Sequence, residues 1–296
     1  RVVAERLPPR TVALTFDDGP DPVWTPRILD ALRRHRATAT FFVVGAQVNK
    51  YPELVRRIVA EGHQLGLHSF THRDLTTMSE RRRRLEFELT RNAVAHATGQ
   101  DVRLFRPPYL ASPAKVDRAA LALIMAAGRD GYTTVLADRD TTDWRRPSVP
   151  TIAGLAVPDG SGGAVVLMHD GGGDRANTVE ALDVVLPKLA AQGHRAVTIS
   201  GALPAAPDAT AASWRAKAQG GAFAVAQRGA SWTRTGLFWL MIFSTALAGT
   251  RMLIQVWCAW RHSRRRRRSP LAAYDAPVSV IVPAFNEAAN IVATVR

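Results

Sequence analysis

Adjacent aspartates, Asp17 and Asp18, and two histidines four residues apart, His68 and His72, are the side chains from which divalent-metal sites are built. They lie in the strings Thr15-Phe16-Asp17-Asp18-Gly19-Pro20 and His68-Ser69-Phe70-Thr71-His72. Three more polar strings follow: Arg106-Pro107-Pro108-Tyr109, Asp140-Thr141-Thr142-Asp143-Trp144 and Leu167-Met168-His169-Asp170. Together the five supply a metal site, a base, an acid and an anchor for each. Each string alone has a plain structural reading. Paired aspartates make Asx turns, histidines sit partly buried as satisfied polar groups, and an arginine before two prolines is a surface charge on an extended segment. The joint occurrence is what points to chemistry.

Short β-branched or apolar runs alternate with helical patterns from residue 11 onward, which predicts strands near 11–16, 38–44, 64–67, 103–105, 132–136, 164–168 and 196–199. Helix punctuation separates them: Thr25-Pro26 before Ile28, Leu29 and Leu32; Pro52 before Leu54 and Val55; and Ser79 opening a long polar helix that Gly99 closes. Gly128 and Gly193 stand where two further helices are expected to end. Seven alternations over about 190 residues predict an α/β fold with a largely parallel sheet, open or closed into a barrel. Asp17, His68, Arg106, the Asp140 to Trp144 run and His169 each fall just after a predicted strand. Carboxyl ends of parallel strands share one face, so five motifs spread over 150 residues are expected to converge at one mouth.

In this order and spacing the five strings resemble the polysaccharide deacetylases of carbohydrate esterase family 4, the NodB homology domain, over roughly residues 8–200. The resemblance implies an irregular (β/α) barrel of about seven strands and metal-dependent removal of an acetyl group from an N-acetylated sugar. Acetamide hydrolysis needs an activated water, a sink for the oxyanion and a proton for the departing amine; a divalent metal serves the first two. Asp18, His68 and His72 would be its three ligands, with zinc first and cobalt, manganese or nickel as alternatives. Asp17 would be the general base, positioned by Arg106, whose fork can hold a carboxylate in two hydrogen bonds. His169 would be the general acid, its pKa raised by a carboxylate partner, either Asp143 or, as substitute, Asp140. The backbone N–H of Tyr109 would face the oxyanion, Trp144 would wall the acetyl methyl, and Pro107, Asp140 and Leu167 would line the substrate site. One departure stands out: the family's usual glycine after this tyrosine is Leu110 here, which excludes a glycine-only backbone angle and bears on loop geometry and substrate width.

Composition bounds the rest. The chain has 296 residues, 47% of them hydrophobic, so a sizeable core is expected; its single cysteine, Cys258, rules out an intrachain disulfide and says nothing of compartment. The net charge of +14 resembles a nucleic-acid signal until it is divided along the chain. Residues 1–200 carry 27 basic and 22 acidic side chains, whereas the last 96 residues carry +9, six of it from Arg261 and Arg264 to Arg268. A basic cluster beside an apolar segment argues for a membrane surface and against nucleic acid. The Arg81 to Arg84 run reads as a solvated helix face.

Residues 201–235, rich in Ala, Gly, Pro and Ser, are expected to be a linker. Residues 236–260 form an apolar stretch that would reach about 37 Å as a helix, enough to cross a bilayer. Trp232 and Trp239 near one end and Trp257 and Trp260 at the other fit interfacial belts, while Arg251, near the helix centre, is expected to face another helix. The basic juxtamembrane segment, 261–276, is expected in the cytoplasm and the barrel outside it, at a bacterial-type cell membrane. The stretch 277–296 resembles the opening strand of a family 2 glycosyltransferase, with Asn286-Glu287 at its turn. A start without methionine and an end inside that motif are expected of an excerpt from a longer protein, and only that protein would take a nucleotide sugar. The expected partner of this chain is an N-acetylated, GlcNAc-containing polysaccharide such as a chitin-like polymer, poly-GlcNAc or peptidoglycan. The alternatives are an esterase of an O-acetylated polysaccharide and a non-catalytic domain that binds glycan for the transferase. A non-haem iron oxygenase built on two histidines and a carboxylate is disfavoured by the accompanying arginine and second acidic motif.

Overall fold

The computed structural model of the chain describes residues 2–3, 7–110 and 112–268. The expected glycosyltransferase strand and residues 269–276 of the basic segment lie outside the described residues. The strands are β1 (Val2–Val3), β2 (Thr11–Asp17), β3 (Thr40–Val43), β4 (Gln64–Leu67), β5 (Gln100–Asp101), β6 (Leu104–Phe105), β7 (Thr133–Val135), β8 (Arg139–Asp140), β9 (Ala164–His169), β10 (Arg195–Ala196) and β11 (Thr210–Ala211). The helices are α1 (Trp24–Arg34), α2 (Gly45–Lys50), α3 (Pro52–Ala60), α4 (Glu80–Thr98), α5 (Arg118–Arg129), α6 (Val149–Ala156), α7 (Ala176–Ala191), α8 (Ile199–Ala202) and α9 (Trp214–Arg268).

The main sheet is parallel throughout and runs β1-β7-β6-β4-β3-β2-β9-β8, with β10 pairing the start of β2. It curls into the (β/α) half-barrel that the sequence predicts. Each of the seven expected strands is present, some shortened at the ends, and two-residue strands β1 and β8 extend the edges. At the centre, β2 is buried at all seven positions and pairs with β9 over six of them, Val12 opposite Ala164 through Asp17 opposite His169. A strand covered on both faces reads as a continuous apolar run, which is how Thr11–Asp17 and Ala164–His169 were legible. The buried Thr15 fits because its hydroxyl donates to the Val166 carbonyl at 2.7 Å.

The helices start and stop largely for the expected local reasons. Helix α1 starts at Trp24, one residue ahead of the expected Thr25-Pro26, because Asp21 accepts hydrogen bonds from the Val23 and Trp24 N–H groups; its Ile28, Leu29 and Leu32 are buried. Gly99 closes α4 in the left-handed conformation, φ +77°. Gly128 does not end its helix: α5 continues to Arg129 and the left-handed residue is Gly131. The expected strand at 196–199 stops at Ala196 because Thr198 accepts from the Gly201 N–H and caps α8.

The largest departure is at 201–235. The chain there forms α8, a strand, β11, paired antiparallel with β5, and, from Trp214, the long helix α9. The small residues that read as a linker serve packing instead. Ala216 and Ala224 are buried, and a Cβ at Gly220 would lie 2.0 Å from the Asn92 carbonyl oxygen on α4. Small residues four apart place one narrow helix face against α4. Gln227 continues the contact, donating to the Ala46 carbonyl and accepting from Asn49.

The chain divides into two compact units, Arg1–Trp232 and Thr233–Arg296. In the second, the described residues are helical and carry an exposed apolar surface from Leu237 to Trp260. The helix is long and apolar enough to cross a membrane.

Candidate active site

Because the strands are parallel, β2, β4, β6, β8 and β9 deliver Asp17, His68, Arg106, Asp140 and His169 to one face. A cavity of about 430 Å³ opens there. Asp17, Asp18, His68, His72, Pro107, Tyr109, Asp140, Trp144, Leu167 and His169 line it, so of the expected site residues only Arg106 and Asp143 stand behind the wall.

Asp18, His68 and His72 converge so that one potential ligand atom from each lies within 4.8 Å of the others. Asp18 Oδ1 is 2.8 Å from His72 Nε2 and 3.4 Å from His68 Nε2. That oxygen is buried and accepts no hydrogen bond. Both imidazoles are held by the far nitrogen: His68 Nδ1 is 2.8 Å from the Arg106 carbonyl, and His72 Nδ1 is 3.3 Å from the Tyr109 hydroxyl. With the proton on Nδ1 in each ring, Nε2 presents a lone pair to the same point, the usual support of a metal-binding histidine. An orphaned buried carboxylate oxygen facing two such nitrogens fits a divalent cation. The charges agree. Burial lowers the His68 pKa, but the Asp17 and Asp18 carboxylates more than offset it, and His68 and His72 in turn hold the Asp18 carboxyl well below the usual carboxylate range despite its burial.

The His68-to-His72 loop is fixed from beneath. Buried Glu86 of α4 accepts from the N–H groups of Phe70 and Thr71 with one oxygen and from the Thr71 hydroxyl with the other. Ser69 Oγ accepts from the His72 N–H. Asp18, Ser69, His72, Tyr109 and Thr142 all have φ between +50° and +78°.

Asp17 faces Arg106, which is fully buried. Arg106 Nη1 donates to Asp17 Oδ1 at 2.9 Å and to Thr15 Oγ1 at 2.7 Å, Nε donates to the Val135 carbonyl, and the guanidinium lies 4.3 Å from the Phe42 ring centroid. One nitrogen, not the two-bond fork, meets the carboxylate. Asp17 Oδ2 stays on the cavity side, 3.8 Å from His68 Nε2.

At the end of the neighbouring strand β9, His169 Nδ1 is 2.7 Å from Asp143 Oδ1, while Asp143 Oδ2 accepts from the His169 N–H and the Thr178 hydroxyl. Asp140 is not the partner; its carboxylate accepts from the Thr142 N–H. Burial opposes the imidazolium, yet Asp143, with Asp17 and Asp18 behind it, pushes His169 up to about 9. Burial likewise acts to raise Asp143, and the bonds and charge of His169 bring it below its ordinary value. A cationic donor and an anionic acceptor thus face one cavity from the ends of the neighbouring strands β9 and β2.

The wider comparison follows this geometry. Residues 4–128 match the family model for polysaccharide deacetylases. A peptidoglycan-N-acetylglucosamine deacetylase of Bacillus cereus is 38% identical over 195 residues, which cover 64% of this chain and 87% of that protein. The chain belongs to the polysaccharide deacetylase family. A chitooligosaccharide deacetylase of a Bradyrhizobium species is 37% identical over 62% of this chain and 86% of its own length. Among solved structures, the Bc1960 peptidoglycan N-acetylglucosamine deacetylase, crystallised with a hydroxamate-type ligand, superposes with a TM-score of 0.63 at 32% identity, covering 69% of this chain and 92% of that one. Some longer relatives are matched over only 38% of their length.

Within this family frame, the departure at Leu110 has a plain outcome. The left-handed angle belongs to Tyr109, φ +64°, and Leu110 is buried against Ala120 and Ile124, where it anchors the loop. Among the described residues the Tyr109 N–H donates no hydrogen bond. Three cavity residues escaped the sequence reading: Lys115, Gly172 and Arg175. Buried Arg175 donates to the Gly171 and Asp143 carbonyls and braces the acid pair. Its signal was its place after three glycines and directly before α7, where a loop can fold an arginine back under the site. Asp170 was quoted but given no role. It accepts from the Gly19 N–H and Thr25 hydroxyl, a Cβ on Gly19 would lie 2.1 Å from its Oδ2, and burial together with the Asp18 and Asp17 charges pushes it up to about 7.

Proposed function

We propose that the chain is a metal-dependent N-deacetylase of a GlcNAc-containing polysaccharide, with zinc as the first candidate metal at Asp18, His68 and His72. The observation that carries this reading is the convergence on one cavity of that triad, an arginine-held carboxylate, Asp17, and a carboxylate-held imidazolium, His169. A bound divalent cation would act as a Lewis acid on the acetamide carbonyl and make a water more acidic. Asp17 takes the proton of the attacking water, and Arg106 keeps its carboxylate aimed at the cavity. The Tyr109 N–H faces the oxygen on which charge develops. His169 gives its Nε2 proton to the sugar nitrogen as the carbon–nitrogen bond breaks, while Asp143 on Nδ1 stabilises the imidazolium until then. Acetate and a free amine are the products. Exposed Trp144 and buried Leu167, both lining the cavity, supply apolar surface for the acetyl methyl.

A complete set of acid, base and candidate ligands speaks against a purely glycan-binding role. The apolar stretch 236–260 of helix α9 is read as the membrane anchor, with the arginine run after it cytoplasmic and the deacetylase outside. The longer protein is read as joining this domain to a family 2 glycosyltransferase that begins near Pro277. The test is acetate release by the zinc-loaded full chain in detergent micelles from chitin oligomers, peptidoglycan and acetylated xylan. Release from N-acetylated glycans supports the reading, release from xylan alone makes the protein an O-acetyl esterase, and no release from any of them makes it a binding domain.

A further inference from the structure

A second cavity, about 640 Å³, adjoins the catalytic one and shares His72 and Tyr109 with it. Arg73 and Arg82 line it. Both are exposed, and among the described residues neither has a hydrogen-bond or ion-pair partner. Their neighbours are engaged: Arg83 donates to the Met78 carbonyl and Arg84 pairs with Glu80. The one acidic side chain in the cavity, Asp74, has Oδ1 turned to the Thr76 N–H and hydroxyl, where it caps the short turn Leu75–Thr77. Arg82 also lies in the first turn of α4, where the helix dipole disfavours a cation. The protein therefore holds two unpaired guanidinium groups beside its catalytic cavity, one of them in a place that local energetics oppose.

We infer that this second cavity is a subsite for a carboxylate carried by the sugar next to the one deacetylated, so that the enzyme prefers an acidic N-acetylated glycan to a neutral one. The inference rests on the deacetylase reading and names its substrate class. With the reacting acetamide set between Asp17 and His169, a sugar chain leaving past His72 and Tyr109 enters the second cavity. A substituent there meets Arg73 and Arg82. A guanidinium presents paired N–H donors that match the two oxygens of a carboxylate, and a neutral hydroxymethyl or amide leaves those charges unpaired.

The test compares three oligomers on the zinc-loaded full chain: a chitin tetramer, an oligomer whose alternate sugars carry a 3-O-lactyl carboxylate, and the same oligomer with that carboxyl converted to the carboxamide. The expected kcat/KM for the carboxylate form exceeds that for the carboxamide by about ten-fold at low salt, the combined effect of two solvent-exposed ion pairs, and the ratio shrinks as salt rises. Arg73→Gln and Arg82→Gln each reduce the ratio about three-fold, through KM with kcat unchanged, and leave the chitin tetramer unaffected. Equilibrium binding of the same oligomers to the Asp17→Asn variant gives the preference without turnover, so a failure of the deacetylase reading and a failure of this subsite are read separately. Equal binding of the carboxylate and carboxamide forms, or an equal loss on all three oligomers in the arginine variants, overturns the inference. So does an unchanged preference accompanied by lost binding to phosphatidylglycerol vesicles, which would assign the arginines to a lipid surface.

Discussion

Replacing Asp143 with asparagine removes one charge from the acid pair, together with the acceptor that Oδ2 offers to the His169 N–H and the Thr178 hydroxyl. The amide oxygen can still accept from His169 Nδ1, and the volume is nearly unchanged. Asp143 Oδ1 lies 2.7 Å from that nitrogen, in a pair almost sealed from solvent. With the charge centres about 4 Å apart and an effective dielectric of about 20, the attraction is about 4 kcal/mol. At 1.36 kcal/mol per unit this is about 3 pH units. His169, held at about 9, should therefore titrate near 6 in the variant, to within about a unit. A general acid is lost as pH rises through its pKa, so the alkaline limb of the acetate-release profile should move to lower pH by about 3 units. At pH 7.5 the protonated fraction falls about 30-fold, and near pH 5 the variant should approach the parent rate. A cation at the neighbouring triad lowers both limbs alike, so the separation between the two profiles is the quantity to read. A limb displaced by less than 1 unit, or displaced to higher pH, would refute the pairing of Asp143 with His169 as the source of the acid.

The remaining predictions concern the other parts of the site. Asp18→Ala should abolish both zinc binding, measured by titration calorimetry, and activity, whereas Asp17→Asn should keep the metal and lose about 10²- to 10⁴-fold in turnover; equal loss of metal in both rejects the division of roles. Arg106→Met should destabilise the fold by about 3–5 kcal/mol in denaturant titration, because Asp17 would remain buried and unpaired. In the metal-free protein the raised His169 pKa contributes stability that is complete below about 6.5 and lost as pH climbs to about 9; the fall should be about 3 kcal/mol and should largely vanish in Asp143→Asn. Protease added to cells whose outer layer alone is permeabilised and whose inner membrane is intact should remove residues 1–232 and spare an epitope placed after Pro277; the reverse pattern sinks the proposed topology.

The catalytic side of this protein was readable because each of its polar strings ends a strand, and strand ends are marked by a sharp change from apolar to polar sequence. Thr11–Asp17 and Ala164–His169 have that edge, so the sequence itself places Asp17 and His169 at strand ends. The partner of His169 could not be chosen between Asp140 and Asp143. Asp140 ends the two-residue strand β8 and Asp143 follows it; the strand is too short to leave a pattern, and the left-handed turn at Thr142 decides which carboxylate reaches the imidazole. Glu86 was invisible for a different reason. On a helix it looks like one more charged residue, and only the packing of α4 under the histidine loop turns it inward. The Ala- and Gly-rich run after residue 201 shows how composition misleads: its glycines and prolines lower helix propensity and make it resemble a tether, yet the spacing of four at Ala216, Gly220 and Ala224 is a close-packing pattern.

Five non-glycine residues in left-handed backbone geometry ring the mouth of this half-barrel, and each such residue costs about 1–3 kcal/mol relative to a relaxed loop. None of the five lies within a strand, so their distortion is maintained by side-chain anchors such as Glu86, Ser69 and Leu110. On warming, those anchors should let go before the buried strands separate. The rim is then the first part to relax, and it is also the part that positions the reacting groups. Thermal inactivation should accordingly set in several degrees below the melting of the sheet, and should reverse on cooling so long as β2 and β9 remain paired.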